Sequence, residues 1–478
     1  LQEAGSVIWS DGTCVGYGRG QNPNSPAFQF RREVHYCSGA FMMLRRSLYL
    51  ELGGFDERYA PAYYEETDLC MKIRAAGYKV IYDPRIAIEH YEFGSATVRQ
   101  QAIDLQERNH KFFLAQHATA LKNHPSHEIG PRAALDSLRK KRVLMIDDRV
   151  PYRNLGAGYP RARDLVKAVS ALGWDVTFYP LYFPGLDVDE FWSDFGPDIE
   201  VAAELGEPGL SGFLRERAEE FDAVFVSRPG NMARVQEVCG RAFLSRLKLI
   251  YDAEALFVER EKIRRALFEN PFEEKDYRAA YEQEIGLMKG ASAVVTVCER
   301  EKKLISSRVS APIQVIGHMV DAKPSTASFE ERSDLLFVGA LDGTREASPN
   351  VDSLVWFVEE VMPLLDQKLG TDWKLNVAGR VQSEDLERIA SERVRLLGMV
   401  PDLSHVYNEN RVFIAPTRFA AGIPAKVHEA ASFGLPVVAT DLIASQVGFI
   451  PDSEILAAST AKDFADKCVS LYTGKEVW

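Results

Sequence analysis

The sequence predicts an α/β protein with two successive domains, each built on a doubly wound parallel sheet. From residue 142 onward, short apolar runs typical of buried strands alternate with amphipathic stretches of helix length. A polar stretch at 321–333 separates one such series from the next, and we expect a hinge there. The length of 478 residues agrees with this arrangement, because one hydrophobic core rarely organises so long a chain.

Apolar runs predict the strands of the first sheet. The first run is followed by a glycine-containing loop and a helix over 162–173, and then by the second run. Helix-length amphipathic sequence also separates the later runs, so a parallel sheet with crossover helices is expected. The runs are RVLMID (142–147), WDVTFY (174–179), DAVFVS (222–227), KLIYDAE (248–254) and SAVVTV (292–297).

A second series of apolar runs predicts the second sheet, with a helix over 350–365 after its first strand. Two Rossmann-like domains result, and the ligand cleft is expected between their facing strand carboxyl ends. The runs are DLLFVG (334–339), WKLNVAG (373–379), VRLLG (394–398), RVFIAP (411–416) and LPVVATD (435–441).

The remaining sequence predicts a further block and a linker. Within residues 1–118, the stretch at 38–54 has apolar positions at helical spacing and ends in two glycines, which predicts a helix. Residues 119–141 are rich in Asn, His, Pro and Ser and predict a linker. The Rossmann-like domains are then assigned to 142–325 and 326–478. Because the chain begins with Leu1 and stops at Trp478, we expect it to be part of a longer protein.

Composition excludes several classes of function. The formal net charge of −12 opposes the phosphate contacts of nucleic-acid binding, so no nucleic-acid partner is expected. The six cysteines are scattered and form no C-x2-C pair, which favours a reducing cytoplasm. No apolar run reaches the ~18 residues of a membrane span. We expect a cytoplasmic protein whose membrane association, if any, is peripheral and at the inner face.

The stretch APTRFAAGIPAKVHEAASFGLPVVATD (415–441) is the most informative one. It predicts a strand, a loop that carries Gly422, and a helix with Pro424 as its first residue. The free amides and the positive dipole end of such a helix bind a diphosphate without a metal. Arg418 and Lys426 are candidates to neutralise the departing diphosphate, and Glu429 to accept ribose hydroxyls. The alternative is that Lys426 and Glu429 form a solvated i,i+3 pair.

This stretch resembles the donor site of glycosyltransferase family 4, the GT-B enzymes also called glycosyl transferases group 1. The family pattern E-A-x-A-x-G-x-P-V-V reads here EAASFGLPVV (429–438), and the run FVGALDGTREASPN (337–350) resembles the family's opening strand and glycine turn. A second sugar-binding glutamate of the family is replaced by Ala421, as in rhamnosyltransferase-like members. The resemblance implies retention of configuration, no metal cofactor, and donor binding by Gly339, Arg380, Gly422, Lys426 and Glu429.

The loop DDRVPYRNLGAGYPRARDL (147–165) resembles the acceptor-side loop of the same family. The resemblance implies acceptor-side roles for Gly156, Gly158 and Arg161, although such glycines are often simple turn residues. At the ends of predicted strands, Arg228 is a catalytic candidate beside Lys426 and Arg418, and Asp252 and Glu254 are acceptor-side candidates. The alternative for these strand-end residues is capping of the next helix.

The first block has its own acidic cluster, Glu65, Glu66 and Asp68. With the strand and His90 that follow, it resembles the C-terminal half of a family 2 (GT-A) glycosyltransferase, which implies catalytic roles for Glu66 and Asp68. The alternative is helix N-terminal charge. A GT-A enzyme holds Mg or Mn through a D-x-D pair. Asp187-Val-Asp189 is expected to be a solvated loop, so Mg or Mn is expected only for a complete GT-A domain, and the block to be inert here.

The predicted function is transfer of a sugar from a UDP, GDP or dTDP sugar to a glycan or lipid-linked acceptor, in cell-surface polysaccharide synthesis. Two alternatives remain open at this point. One is a nucleotide-sugar epimerase of the same fold, which incubation with donor alone would distinguish. The other is a catalytically silent scaffold or glycan-binding module, which would bind no nucleoside diphosphate.

Overall fold

The computed structural model describes residues 1–90, 99–139, 141–153, 155, 156 and 158–478. The chain divides into two compact units, and each is described by itself. Unit 1 contains Leu1–Val150 and Val166–Val224. Unit 2 contains Pro151–Leu165 and Phe225–Trp478. No helix of the described residues is long and apolar enough to cross a membrane.

The first block consists of short antiparallel strand pairs and helices. Strand β1 pairs with β2, and β3 with β4. The block also contains three short 3-10 helices, Pro26–Phe28, Glu57–Tyr59 and His127–Ile129. The elements are β1 (Ser6–Ile8), β2 (Cys14–Gly16), β3 (Arg32–Val34), α1 (Arg46–Glu51), α2 (Glu65–Ala75), β4 (Val80–Tyr82), α3 (Arg99–Leu121) and α4 (Gly130–Asp136).

The helix predicted over 38–54 is wrong in its first part, because α1 begins only at Arg46. Residues 41–44 instead alternate: Phe41 and Met43 are exposed, whereas Met42 and Leu44 pack against the core of the block. This period of two is that of extended chain, so burial of alternate side chains overrides the helical spacing. The predicted end of this helix at two glycines is confirmed, since Gly53 and Gly54 have φ of 77° and 67°.

The segment predicted as a linker includes the end of α3 and the whole of α4. Ala134 and Leu135 of α4 belong to the same core as Val7 and Leu69 of the first block. Within unit 1, Arg31 of the block forms ion pairs with Asp83 and Asp198. The first block is therefore joined to the following Rossmann-like sequence by buried and polar contacts rather than by a free tether.

Seven strands form the first parallel sheet, in the order β11-β10-β9-β8-β5-β6-β7. All five predicted strands are confirmed, and the short strands β7 and β11 were not predicted. The order reverses direction at β5, as in doubly wound sheets. The strands are β5 (Arg142–Arg149), β6 (Asp175–Phe183), β7 (Glu200–Val201), β8 (Ala223–Ser227), β9 (Leu249–Asp252), β10 (Ala293–Thr296) and β11 (Ile313–Val315). The helices are α5 (Tyr159–Ala171), α6 (Val188–Phe195), α7 (Gly206–Arg217), α8 (Pro229–Cys239), α9 (Arg241–Leu244), α10 (Phe257–Phe268), α11 (Glu274–Gly286) and α12 (Glu299–Ile305).

Six parallel strands form the second sheet, in the order β16-β14-β12-β17-β18-β19, and β13 and β15 form a separate parallel pair. Again all five predicted strands are confirmed, and the short strands β13, β15 and β19 were not predicted. The strands are β12 (Ser333–Val338), β13 (Leu341–Asp342), β14 (Leu375–Ala378), β15 (Val381–Gln382), β16 (Val394–Gly398), β17 (Asn410–Ala415), β18 (Val437–Thr440) and β19 (Leu456–Ala458). The helices are α13 (Pro349–Trp356), α14 (Met362–Leu369), α15 (Glu384–Glu387), α16 (Ser404–Glu409), α17 (Ala425–Ser432), α18 (Asp441–Val447) and α19 (Ala461–Thr473).

The helix predicted over 350–365 is observed as α13 and α14 joined by one π-helical turn, Phe357–Val361. Pro363 lacks the amide that a regular helix would use at this point, which accounts for the irregular turn.

Alternate residues of the central strands point to opposite faces of the second sheet. Leu335 and Phe337 of β12 belong to one core, and Leu336 and Val338 belong to another. Both faces are therefore covered, as expected for a doubly wound sheet. The carboxyl ends of β12 and β17 lie side by side, because these two strands pair directly.

Candidate functional site

The loop between β17 and α17, residues 416–424, carries the predicted donor motif. Helix α17 begins at Ala425, so Pro424 is its N-cap and not, as predicted, its first residue. A proline at this position supplies no capping side chain, and the helix N-terminus has no side-chain cap. The loop itself is anchored: Thr440 donates to the Thr417 carbonyl at 2.6 Å, and Gln446 to the Ala420 carbonyl at 3.1 Å. The uncapped amides of α17 are thus held by a rigid loop.

Lys426 lies in the first turn of α17 and is half-buried. Its Nζ donates to Asn350 Oδ1 at 2.7 Å and lies 4.1 Å from the centre of the Phe337 ring. Burial lowers the pKa of Lys426 to about 7. A neutral amide and an aromatic ring leave the ammonium poorly compensated, so an anion in contact with Nζ would restore the charged form.

Glu429 follows one turn later on the same helix. Its Oε2 accepts a hydrogen bond from the Tyr407 hydroxyl at 3.0 Å, and the Tyr407 ring stacks on Phe433 at 5.0 Å. Burial and the Glu429 carboxylate raise the pKa of Tyr407, which keeps the hydroxyl a donor. Lys426 and Glu429 therefore have separate partners, and the alternative of a solvated i,i+3 ion pair is wrong.

Gly339 lies at the end of β12, directly against the end of β14. A Cβ on Gly339 would lie 2.9 Å from Asn350 Nδ2, and a Cβ on Gly379 would lie 1.9 Å from the Gly339 carbonyl oxygen. Gly379 cannot carry a larger side chain because of the Gly339 backbone, and a side chain at Gly339 would displace the Asn350 amide that reaches Lys426. Arg380, the next residue along, is exposed and forms a two-point ion pair with Asp342, with N···O distances of 3.1 and 2.5 Å.

Arg418 lies in the loop but its guanidinium is directed to a buried carboxylate. Nε and Nη2 of Arg418 donate to Asp352 at 2.9 and 2.5 Å, and Asp352 is fully buried. Arg345 also donates to Asp352, at 3.1 Å. The structure thus places Arg418 as an anchor of the loop on α13, and its role toward a diphosphate stays a prediction.

Gly422 has φ of 72°, a conformation that favours glycine. Its amide donates to Glu301 Oε1 at 3.0 Å, so this N–H is already engaged by the protein. The contribution of Gly422 to a donor site would come from the backbone conformation of the loop.

On the predicted acceptor side, Arg161 and Asp252 form a buried ion pair. The guanidinium donates through Nη1 and Nη2 to Asp252 at 2.7 and 3.0 Å, and through Nε to the Ile316 carbonyl at 2.9 Å. The pair connects the start of α5 to the ends of β9 and β11. Its position at the strand ends agrees with the prediction, although both side chains are almost fully buried.

Glu254 and Arg228 lie beside this pair on strained backbone. Arg228 has φ of 76° and Glu254 φ of 56°, both unusual for residues with a side chain. Arg228 Nη1 and Glu254 Oε2 are 2.9 Å apart. A Cβ on Gly158 would lie 1.3 Å from Glu254 Oε1, whereas none of the described residues lies within 4 Å of a Cβ on Gly156. A side chain at position 158 would therefore displace the Glu254 carboxylate, whereas one at position 156 would displace none of the described residues.

The capping alternative for Asp252 and Glu254 is wrong. The first amides of α10 are bound by other carboxylates: Phe257 and Val258 donate to Glu284 at 2.8 and 2.9 Å, and Leu256 donates to Glu301 at 3.2 Å. Arg228 is the N-cap of α8 but makes no side-chain cap bond there. Distant helices supply the caps, which leaves the strand-end carboxylates for other interactions.

Comparison with known proteins gives one family match and several structures of similar fold. The family model described as glycosyl transferases group 1 matches residues 332–474. Among solved structures, TarM is similar with a TM-score of 0.55 and 10% identity, over 70% of this chain and 93% of TarM. The structure of HepE of Anabaena in complex with UDP and glucose is similar with a TM-score of 0.50 and 14% identity, over 71% of this chain and 91% of HepE.

The fold is GT-B. A curated relative, Rhamnosyltransferase WbbL of Escherichia coli, is 38% identical over 58 residues, which is 12% of this chain and 22% of WbbL. That similarity falls in the N-terminal part of the chain, before the GT-B sequence. The chain spans only 11% to 22% of the length of the curated relatives it matches. Together the family match, the fold and the relatives support a glycosyltransferase.

The acidic cluster of the first block begins α2. Glu66 is largely enclosed, and burial together with Glu65 raises the pKa of Glu66 to about 7. Asp68 is fully buried and accepts hydrogen bonds from Gln116 and His117, both at 2.8 Å. His90 is exposed, and its Nδ1 lies 3.1 Å from Gln2 Oε1. Hydrogen bonds fix the Asp68 carboxylate in place, and the pKa of Glu66 lies close to neutral pH. A carboxyl group with such a pKa is compatible with the role of a general base.

The Asp187-Val-Asp189 pair lies at the start of α6. Asp187 is exposed and lies in the loop before α6, as expected, and its Oδ1 caps the helix by accepting from the Glu190 amide at 2.9 Å. Asp189 is also exposed but lies within α6 rather than in a loop. Among the described residues, no group of three or more His, Cys, Asp or Glu side chains is placed to hold a metal ion.

Three residues around the GT-B site were not predicted: Asn350, Tyr407 and Glu301. Asn350 lies next to Pro349 at the start of α13, and Tyr407 belongs to the six-residue helix α16. Glu301 lies in the charged run CEREKK, which has the composition of an exposed helix face. Only the folded contacts distinguish these residues from ordinary surface residues.

Proposed function

We propose that this chain transfers a sugar from a nucleoside diphosphate sugar to a glycan or lipid-linked acceptor, as a member of glycosyltransferase family 4. The observation that carries the proposal is the half-buried Lys426 ammonium beside the uncapped N-terminus of α17. Both features favour an anion with several oxygens, and a diphosphate is such an anion.

The residues around Lys426 support a division of roles. Lys426 and the α17 amides bind the diphosphate. Glu429, which is oriented by Tyr407, accepts hydrogen bonds from the ribose hydroxyls. Arg418 supports the loop through Asp352 and contributes its positive charge at the same strand end. Arg228 and Glu254, held on strained backbone, face the transferred sugar and the acceptor hydroxyl.

Charge stabilisation in this proposal comes from fixed donors rather than from a metal. As the glycosidic bond breaks, negative charge grows on the diphosphate, and preorganised cations and amides lower the barrier. The proposed reaction retains configuration and serves cell-surface polysaccharide synthesis, as the resemblance to glycosyltransferase family 4 implies. UDP is the first nucleotide to test, because the HepE structure contains it.

The test is a thermal shift screen with UDP, GDP and dTDP, followed by incubation with UDP-glucose, GDP-mannose and dTDP-rhamnose. A nucleotide at a hundred times its Kd should stabilise the protein by ~2.7 kcal/mol. Release of the nucleoside diphosphate with a new glycoside on the acceptor supports the proposal. Conversion of the donor sugar without acceptor would indicate an epimerase, and no binding of any nucleotide would indicate a silent module.

Glu429→Ala should weaken the binding of the nucleotide identified by this screen by roughly 10- to 100-fold, because hydrogen bonds to a charged group contribute about 1.5–3 kcal/mol. Isothermal titration measures the effect. Tyr407→Phe is the matched control: it removes the partner hydroxyl but keeps the carboxylate, so its effect should be smaller. Unchanged affinity in Glu429→Ala would show that Glu429 is only a surface charge.

Transfer should survive EDTA, because cations and amides of the protein replace a metal in the proposed site. The measurement compares initial rates before and after dialysis against EDTA. We expect less than a twofold change, and added Mg or Mn should have no effect. Activity that disappears with EDTA and returns with Mg would contradict this prediction.

A further inference from the structure

Glu301 connects the two sides of the proposed site through a single oxygen atom. It lies on α12 and is 2% exposed. Its Oε1 accepts one hydrogen bond from the Leu256 amide at 3.2 Å and one from the Gly422 amide at 3.0 Å. Leu256 follows β9 on the acceptor side, and Gly422 belongs to the donor loop. One carboxylate therefore holds both loops.

The two loops are in close contact where Glu301 holds them. A Cβ on Gly422 would lie 3.3 Å from Ala255 Cβ and 3.4 Å from the Glu254 carbonyl oxygen. The next residue, Ile423, makes a second connection, because its carbonyl oxygen lies 3.2 Å from His318 Nε2. Glu254 itself contacts Arg228. The Glu301 bonds therefore lie where the donor loop contacts the acceptor-side residues.

Burial of the Glu301 carboxylate lowers the stability of the fold. Glu301 Oε2 is buried and has no hydrogen-bond partner among the described residues. Burial raises the pKa of Glu301, and its two amide bonds only partly offset that effect. A buried, half-compensated carboxylate destabilises a fold. Such a group is expected where a fixed geometry is needed for function.

We propose that Glu301 is a positioning residue for sugar transfer, which holds the donor loop and the acceptor-side loop at the separation that the reaction requires. This inference rests on the proposed function. The reacting atoms must lie within about 3–3.5 Å of each other, and a misplacement of about 1 Å lowers the rate by roughly 100-fold. Glu301 does not touch substrate; it acts through the backbone of residues 254–256 and 422–423.

The test compares Glu301→Ala with Glu301→Gln, and with Glu299→Ala as the matched control on the same helix. Glu299 is 65% exposed and pairs only with Lys302 among the described residues. A glutamine keeps an Oε1 that accepts both amides, whereas alanine leaves both without an acceptor. We expect Glu301→Ala to lower kcat by 10- to 100-fold with KM for the donor within threefold, and Glu301→Gln and Glu299→Ala to stay within threefold of the parent.

A second readout follows the loop itself. Hydrogen–deuterium exchange of peptides covering 417–424 and 254–258 should increase in Glu301→Ala and stay at the parent level in Glu301→Gln. If Glu301→Ala does not fold, Glu301→Asp replaces it, because the shorter side chain cannot reach both amides. UDP, GDP and dTDP binding is measured on the same preparations.

The outcomes separate this inference from the proposed function. A parent protein that binds none of the three nucleotides contradicts the proposed function. A parent that transfers sugar, with Glu301→Ala at full kcat and unchanged exchange, overturns the positioning role. A Glu301→Gln variant as slow as Glu301→Ala also overturns it, because the negative charge rather than the placement of Oε1 would then matter.

Discussion

Lys426→Ala should lower kcat by 10- to 1000-fold while KM for the donor rises much less, since removal of one preorganised charge contact costs about 1.4 to 4 kcal/mol. The ammonium stabilises the negative charge that grows on the diphosphate as the glycosidic bond breaks. Its stabilising effect is therefore larger in the transition state than in the ground state. Folding should hardly change, because a desolvated ammonium in a first helical turn stabilises the fold little. Steady-state kinetics and a melting curve on one preparation measure both effects.

Lys462→Ala is the matched control for this prediction. Helix α17 begins Ala425-Lys426, and helix α19 begins Ala461-Lys462, so both lysines occupy the second position of a helix in the same domain. Lys462 is exposed and should not affect kcat. Equal kcat values in the two variants would remove Lys426 from the mechanism and leave Arg418 as the remaining cationic candidate.

The pH profile gives an independent check on Lys426. Its pKa of about 7 in the free protein means that the ammonium loses its proton as pH rises above 7. The kcat/KM for the donor should then fall by up to tenfold per pH unit above this value, because the charged ammonium stabilises the transition state and kcat/KM reports the ionisation of the free protein. Lys426→Met should remove this part of the pH dependence. An identical profile in both proteins would show that another group is responsible.

Glu200→Gln should destabilise unit 1 by about 3–5 kcal/mol, because it removes the charge from a buried ion network. Glu200 accepts from Arg217 at 2.7 and 3.1 Å, from Arg139 at 3.0 Å, and from Thr177 at 2.8 Å. The variant keeps the volume but leaves two buried guanidinium groups without this partner. The apparent Tm of unit 1 should fall by roughly 6–20 °C.

Glu216→Gln is the control, because Glu216 is 71% exposed and pairs with Arg132 at the surface. Its effect should stay below about 1 kcal/mol. Although burial opposes ionisation, Arg217 and Arg139 hold the pKa of Glu200 well below its usual range. The stabilisation is therefore present at neutral pH and is lost as pH falls below 4.5 toward the lowered pKa. A Glu200→Gln variant as stable as the parent at pH 7 would contradict this account.

The second sheet shows why its strands could be predicted. The central strands β12, β17 and β18 are buried along most of their length, so their sequences are largely apolar and are recognisable without tertiary information. The short strands β7, β11, β13, β15 and β19 were missed, because two or three residues carry no recognisable period. The prediction of a helix over 38–54 failed for a related reason. The apolar residues of this stretch fit both helical spacing and the period of two of an extended chain, so the surface against which it packs decides its conformation.

In the candidate site, residue types were predictable but partners were not. The spacing of Lys426 and Glu429 placed both on α17, yet Asn350 and Tyr407, which orient them, come from distant helices. Arg418 had the spacing of a ligand-binding cation, and the fold directs it to Asp352, 66 residues away in sequence. Glu301 lies 121 residues from Gly422 and has no local signal at all.

The sequence by itself determined the α/β architecture, the ten main strands of two parallel sheets, and the loop and helix that carry the donor motif. These follow from local periodicity and from the conformational limits of proline and glycine, which act over a few residues. Only the tertiary structure decided that α4 packs into the first block, which carboxylates cap α10, and which charges are buried in pairs. Those features depend on contacts between residues distant in sequence, where burial sets the strength of each electrostatic interaction.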